Sequence, residues 1–190
     1  AADAIEFNYK LIKVDSDFRL DIEDLKKQLS SDVVFIVGSA PSYPQGAIDP
    51  IEKLALIAKQ HKCLLHVDAC VGGFILPFLK MEGYDLPKFD FEIDGVTSMS
   101  ADVHKYGYAA KGASVVLYKN SELRKGQFYV KTDWSGGIYG SPSFMGTRGG
   151  GPIAAAWTAL HLIGEEGYRR MAREVMEETH FIKQKIKCKN

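Results

Sequence analysis

The stretch CLLHVDACVGG, residues 63–73, decides the fold, because it joins a continuous apolar run to an acidic residue and a pair of glycines. Its first five residues are typical of a strand covered on both faces, as is the run VVFIV at residues 33–37. Between the two runs, Asp49 and Pro50 predict an N-cap and a first-turn proline for a helix over residues 50–61. Strand, helix and strand at this spacing predict a βαβ unit, and hence an α/β fold whose largely parallel sheet is flanked by helices.

Shorter patterns predict the remaining elements. Asp21 is placed to cap a helix over residues 22–30. A third strand fits residues 95–98 and a fourth fits residues 113–118. The connection between these strands is barely long enough for a parallel crossover. An antiparallel orientation of the fourth strand therefore remains an alternative. After a glycine-rich stretch, a long helical segment is expected over residues 152–187.

The composition excludes several classes of protein. The chain has 190 residues, of which 46% are hydrophobic, and this suits one domain with a buried core. Lys plus Arg and Asp plus Glu number 24 each, so no net field attracts nucleic acid or an anionic membrane. The three cysteines are odd in number and irregularly spaced, which indicates a reducing compartment rather than a disulfide framework. No apolar stretch approaches the ~18 residues of a membrane span.

The first residues indicate a piece of a longer protein. There is no initiator methionine, and residues 1–7 have the pattern of a helix interior. No signal peptide opens the chain. Any membrane anchor is therefore expected outside these residues.

Asp68 directly follows the second predicted strand, at the edge of the sheet where open α/β folds bind ligands. An Asp at a strand end is as often a helix cap or a solvated carboxylate. Its setting favours a ligand, because the small residues after it, including Gly72 and Gly73, would let a flat ring approach the backbone. A buried carboxylate can keep a pyridine nitrogen protonated.

Lys105 lies a little beyond the third predicted strand, in a Gly- and Tyr-rich loop behind His104. A lysine that forms an imine needs a lowered pKa, which partial burial or a neighbouring cation can provide. His104 could instead bind a metal together with His66 and Asp68. This alternative is disfavoured, since only two spaced histidines support it and no triad signature is present.

Several loop residues could bind a phosphate, although ordinary loop polarity explains each of them equally well. Cys70 has no assignable His–Asp relay and is better explained as a small packing residue. The glycines at 149–151 lack the ending of a nucleotide phosphate loop. The candidate phosphate ligands are the hydroxyls of Ser98, Ser100 and Thr147 and the cations Lys111 and Arg148.

Two longer motifs carry a family resemblance. HVDACVGGF at residues 66–74 and SMSADVHKYGYAAKG at residues 98–112 resemble the group II pyridoxal-5′-phosphate (PLP)-dependent decarboxylases. PSYPQGAIDP at residues 41–50 and TDWSGGIYGSP at residues 132–142 are more similar to the sphingosine-1-phosphate lyase branch of that family than to its amino-acid decarboxylases. The resemblance runs over nearly the whole chain.

The resemblance implies the PLP-dependent transferase fold type I, a mostly parallel mixed sheet flanked by helices, in a homodimer. Residues 1–150 would form part of the PLP-binding large domain, and residues 151–190 would lead to a small C-terminal domain that the chain lacks. The roles that it implies cover the cofactor and the substrate phosphate. They are Lys105 as the Schiff-base lysine, Asp68 as the partner of the pyridine nitrogen, Cys70 on the ring face, His104 and Ser100 near the cofactor phosphate, Thr147 towards the partner subunit's cofactor phosphate, and Lys111 on the substrate phosphate.

The implied reaction is a retro-aldol cleavage of a phosphorylated long-chain base to a fatty aldehyde and phosphoethanolamine. The alternatives are a PLP-dependent amino-acid decarboxylase and a non-catalytic fragment that keeps only the fold. The Gly-Thr-rich segment that holds the PLP phosphate and the ring-stacking histidine of the family are missing upstream. We therefore expect the isolated chain to be inactive. The resemblance also implies a place on the cytoplasmic side, at the endoplasmic reticulum membrane if the organism is eukaryotic.

Overall fold

A computed structural model of the chain describes residues 8–187. The predicted helix interior at residues 1–7 lies outside the described residues. The chain forms two compact units. One comprises the residues up to Asp68 together with Pro87–Thr97, and the other comprises Ala69–Leu86 and the residues from Ser98 onward.

The first unit contains the predicted βαβ arrangement. Strands β1 and β2 pair in parallel, with Ser39 opposite Asp68 at their carboxyl ends. Helix α2 connects them and packs on both. The unit's elements are α1 (Ile22–Gln28), β1 (Phe35–Ser39), α2 (Ile51–His61) and β2 (Leu64–Asp68).

Only one face of this strand pair is covered within the described residues. Ile36, Leu65 and Val67 are buried, whereas Phe35 and Leu64 are 52% and 47% exposed. Within the described residues, the cover that was predicted for both faces is therefore seen on one face only. The apolar stripe of α2 covers the buried face, and the alternate side chains of each strand point away from it.

Asp49 does not cap α2, which corrects the prediction from the Asp-Pro pair. Pro50 occupies the N-cap position without a side-chain hydrogen bond. The Asp49 carboxylate is 8% exposed and accepts the backbone N–H of Leu20 at 2.7 Å and that of Ser39 at 2.7 Å. It therefore joins the end of β1 to a distant segment. Asp21, by contrast, caps α1 as predicted.

The second unit contains an antiparallel strand pair, a hairpin and the long C-terminal helix. The third strand starts at Ser98, so the prediction of residues 95–98 overlaps it at one residue. The fourth strand pairs antiparallel with it, with Ala101 opposite Val115. The elements are a 3₁₀ turn (Gly72–Phe74), α3 (Leu76–Met81), β3 (Ser98–Ala101), β4 (Val115–Tyr118), α4 (Ser121–Lys125), β5 (Tyr129–Trp134), β6 (Gly137–Ser141) and α5 (Gly150–Lys187).

The hairpin β5–β6 was not predicted. It closes through Ser135 and Gly136, since Trp134 pairs with Gly137. Its second strand lies in the glycine-rich stretch, where glycines interrupt the alternation of side chains by which a strand is predicted. The side chains of β5 are exposed along its whole length.

Helix α5 is broken at Gly164, whose φ of 60° and ψ of 175° are not helical. Before the break, Pro152 packs so close to Gly112 that a Cβ there would lie 2.9 Å from its Cγ. After the break, Tyr168 stacks on Phe78 of α3 at 5.0 Å between ring centroids. No helix within residues 8–187 combines the length and apolar character needed to cross a membrane.

Candidate active site

The side chain of Lys105 lies in a cluster in the turn that follows β3. Its Nζ is 2.8 Å from the Sγ of Cys70 and 2.9 Å from the Oδ2 of Asp102. The lysine side chain is 33% exposed and that of Asp102 is 15% exposed. We call Cys70, Asp102 and Lys105 the lysine cluster. It presents one reachable primary amine to solvent with a carboxylate and a thiol at its base.

Backbone contacts hold the cluster together. The N–H of Asp102 donates to the carbonyl of Cys70 at 3.2 Å, and the N–H of Lys105 donates to the carbonyl of Asp102 at 3.1 Å. Gly73 permits this approach, because a Cβ at that position would lie 2.6 Å from the Cβ of Ala101. Gly73 therefore serves close packing against the end of β3.

The lowered pKa that an imine-forming lysine needs is not found for Lys105 in this structure. Burial alone lowers the pKa, but the hydrogen bonds to Cys70 and Asp102 outweigh it, so the net pKa is raised. For Asp102, burial raises the pKa, and the hydrogen bonds from Ser114 and Lys105 more than reverse this effect, so its carboxyl pKa is lowered. The pair is therefore ionised at neutral pH, with the proton on Nζ.

His104 is oriented by the segment that leads into β4. Its Nδ1 lies 3.0 Å from the carbonyl oxygen of Ala113. Because a carbonyl only accepts, Nδ1 carries a hydrogen and the neutral ring has its free lone pair on Nε2. Nε2 is 3.7 Å from the Oδ2 of Asp102, an ion pair only when the ring is protonated. The residue thus has a fixed ring orientation beside the lysine cluster.

Asp68 is the last residue of β2 in the first unit, and its side chain is half-buried. Its backbone carbonyl accepts the N–H of Ala40 at 2.9 Å. Burial lowers the pKa of His66, on the same face of β2, and the negative charge of Asp68 opposes this only in part. Asp68 thus stands at a strand's carboxyl end, as the sequence predicted, with a neutral imidazole two residues before it.

The remaining predicted site residues lie on several elements. Ser100 is half-buried within β3, whereas Lys111 and Thr147 are exposed on loops. The structure thus brings Lys105 and Cys70 into contact, with His104 adjoining them through Asp102. Within residues 8–187, no three His, Cys, Asp or Glu side chains come close enough to hold a metal ion.

The sequence reasoning did not select Asp102 or Ser114. The Ser114 hydroxyl donates to the Oδ1 of Asp102, while Oδ2 faces Lys105. The available signal was the Asp three residues before the lysine, a spacing that a tight turn converts into contact. These residues fit a carbonyl cofactor, which the amine of Lys105 would hold, with the carboxylate of Asp102 and the thiol of Cys70 in contact with that amine.

A family model for the pyridoxal-dependent decarboxylase conserved domain matches residues 1–190. The chain belongs to the pyridoxal-dependent decarboxylase family. This confirms the predicted resemblance, and the family's cofactor is the predicted one, pyridoxal phosphate. Lys105 and Asp68 stand in the motifs on which that prediction rested.

Individual members of the pyridoxal-dependent decarboxylase family give a finer comparison. The chain is 47% identical over 183 residues to a sphingosine-1-phosphate lyase of Arabidopsis thaliana, covering 95% of this chain and 34% of that protein. It is 46% identical to sphingosine-1-phosphate lyase 1 of Rattus norvegicus, covering 95% and 32%. The chain thus spans about a third of the length of these relatives.

Comparison with solved structures confirms the predicted fold class. A sphingosine-1-phosphate lyase of Burkholderia pseudomallei superposes with a TM-score of 0.89 and 43% identity, over 93% of this chain and 40% of that one. A glutamate decarboxylase of Lactobacillus brevis superposes with a TM-score of 0.73 and 22% identity, over 90% and 40%. The second likeness concerns the fold alone.

Proposed function

We propose that the protein to which this chain belongs is a PLP-dependent carbon–carbon lyase acting on sphingosine-1-phosphate-like phosphorylated long-chain bases. The observation that carries the proposal is the lysine cluster, in which the one amine that the family motif singles out is held after β3. The 41–47% identity to several sphingosine-1-phosphate lyases supports the choice of substrate class.

The cofactor would be held mainly by residues at strand ends and in the adjoining loops. When bound, PLP supplies an electron sink that stabilises negative charge on the substrate carbon. Asp68 would hold a proton on the pyridine nitrogen. The other proposed contacts are Lys105 as the Schiff-base lysine, Cys70 on the ring face, His104 and Ser100 near the phosphate, and Thr147 reaching the partner subunit's cofactor phosphate.

Lys111 would hold the substrate phosphate. It lies six residues beyond Lys105, on an exposed loop, so its ammonium group can reach a ligand without desolvation. In the retro-aldol reaction, the C3 hydroxyl loses its proton to a base and the C2–C3 bond breaks. The C3 carbon leaves as the aldehyde, and C2 takes up a proton to give phosphoethanolamine.

The whole protein would be a homodimer, with residues 1–150 in its large domain and residues 151–190 leading to a small domain. We also propose a location on the cytoplasmic side, with endoplasmic reticulum association if the organism is eukaryotic. Because the chain spans about a third of its relatives, we expect the isolated 190 residues to release no aldehyde.

The test is to trap the adduct on the intact protein. Borohydride reduction with added PLP should fix one adduct on the peptide that contains Lys105, and Lys105→Ala should abolish it. Lys125→Ala, at an exposed lysine paired with Glu122, is the matched control and should keep the adduct. Retention of the adduct in Lys105→Ala would refute the assignment. Release of aldehyde rather than CO₂ distinguishes the lyase from an amino-acid decarboxylase.

A further inference from the structure

The carboxylate of Asp102 contacts groups from separate segments. Its Oδ2 accepts from the Nζ of Lys105 at 2.9 Å, and its Oδ1 accepts the hydroxyl hydrogen of Ser114. The Nε2 of His104 lies 3.7 Å away. With 15% of its side chain exposed, Asp102 is well shielded from water.

The backbone leaves this carboxylate little freedom. Asp102 follows the last residue of β3, and Ser114 precedes the first residue of β4. The neighbouring pair, Ala101 and Val115, closes the antiparallel ladder. The N–H of Asp102 also donates to the carbonyl of Cys70. The carboxylate is therefore fixed at the end of a strand pair.

Other Lys–carboxylate pairs three residues apart in this chain differ from this one. Lys26 with Glu23 and Lys125 with Glu122 lie on short helices, with 53–74% of each side chain exposed. Pairs that are so exposed contribute little, because water competes with both partners. The Lys105 pair is shielded and has a second donor on its carboxylate, so its geometry is held even though one partner carries the reacting amine.

We propose that Asp102 is a positioning residue that holds the free Nζ of Lys105 as an ammonium group next to Cys70. The importance of Asp102 for catalysis rests on the proposed function, in which Lys105 is the Schiff-base lysine. The groups that face Nζ are Asp102 from its own turn and Cys70 from the loop after β2. An ammonium group has no lone pair for attack on a carbonyl carbon, so the carboxylate, together with Cys70, sets the pH at which the amine becomes a nucleophile.

Ser114 supports this role from the other side. Its hydroxyl satisfies Oδ1, which leaves Oδ2 directed at the lysine, and it stabilises the ionised form of the carboxyl group. An uncharged amide at position 102 could accept from Ser114 but could not balance the charge on Nζ. Replacing Asp102 by Asn thus removes the charge and keeps the shape.

The experiment measures the reactivity of Lys105 in the intact protein after hydroxylamine has released bound PLP. Acetic anhydride labels lysines only as neutral amines, and mass spectrometry of the peptides gives a rate against pH for each lysine. At about pH 8, Asp102→Asn should label Lys105 roughly tenfold faster than the parent protein. Asp102→Glu, which keeps the charge, should restore the parent profile. The matched control Asp94→Asn breaks an exposed pair with Lys59 and should leave Lys105 unchanged.

Equal pH profiles for Lys105 in the parent protein and in Asp102→Asn would overturn the proposal, and so would equal profiles in Asp102→Asn and Asp102→Glu. Labelling does not require PLP. Failure of the borohydride trap would therefore refute the proposed function and leave this measurement intact.

Discussion

The phenol of Tyr168, on the distal half of α5, donates a hydrogen bond of 2.7 Å to the backbone carbonyl of Gly107, two residues after Lys105. The two residues are 61 positions apart in the sequence, and Tyr168 is buried. The turn that carries the lysine is thereby tied to the C-terminal helix.

Tyr168→Phe keeps the ring that stacks on Phe78 and removes only the hydroxyl. We expect a loss of about 1–2 kcal/mol in the free energy of unfolding, because the Gly107 carbonyl loses its donor in a buried place. Urea denaturation of the intact protein measures this change. Tyr129→Phe, at an exposed position in β5, is the control and should change little. Equal stability of the parent protein and Tyr168→Phe would contradict the prediction.

Asp49→Asn should destabilise the protein by about 2 kcal/mol, because a buried carboxylate that accepts two backbone N–H groups becomes an amide that can accept only on one atom. The amide nitrogen would face the N–H of Leu20 or of Ser39. Thermal unfolding of Asp49→Asn against the exposed control Asp85→Asn checks this. If both variants melt together, Asp49 does not have the structural role described above.

Glu82→Gln should lower stability in a way that depends on pH. The carboxylate accepts from Arg173 and from Arg169, and these hydrogen bonds, that of Arg173 first, hold the pKa of Glu82 below its usual value. A lowered carboxyl pKa stabilises the folded state above the unfolded pKa, and this contribution is lost as pH falls through the folded pKa. The difference between the parent protein and Glu82→Gln should therefore be largest near neutral pH and vanish in acid. A constant difference from neutral pH down to about pH 2 would speak against the ion pairs.

Lys111→Ala should weaken binding of a phosphorylated long-chain base by roughly tenfold, since one charge-assisted contact to phosphate is lost. Binding of the same base without its phosphate should not change. Calorimetry with both ligands separates the two effects, and Lys62→Ala, at an exposed lysine after α2, serves as the control. Unchanged affinity for the phosphorylated ligand would remove Lys111 from the proposed site.

The βαβ unit could be predicted because its signals are local. The apolar runs and the spacing of α2 are visible within residues 33–67, and Asp21 caps α1 from the adjacent position. The role of Asp49 could not be predicted, because its partners Leu20 and Ser39 come from other segments. The hairpin β5–β6 was missed for a different reason: its strands are exposed and carry no pattern of burial.

In the candidate site too, the features carried by local motifs could be predicted, and those that depend on distant residues could not. Lys105 and Asp68 stand in motifs that the sequence displays, and their proposed roles remain predictions. The pKa direction of Lys105 could not be predicted from the sequence, because it depends on Cys70, which lies 35 residues away, as well as on Asp102. Asp102 was overlooked because an acidic residue three positions before a lysine indicates a contact only when the chain is known to turn between them.

Helix α5 contacts one loop at two places, once before and once after the break at Gly164. Pro152, before the break, packs on Gly112, and Tyr168, after it, holds Gly107. Lys105 lies two residues before Gly107, and Lys111 directly precedes Gly112. The two halves of α5 therefore contact the loop that carries both the lysine proposed for the cofactor and the lysine proposed for the substrate's phosphate. The φ of 60° at residue 164 is in the left-handed region, which glycine adopts without strain, so any residue with a Cβ would be strained at the point that separates the two contacts.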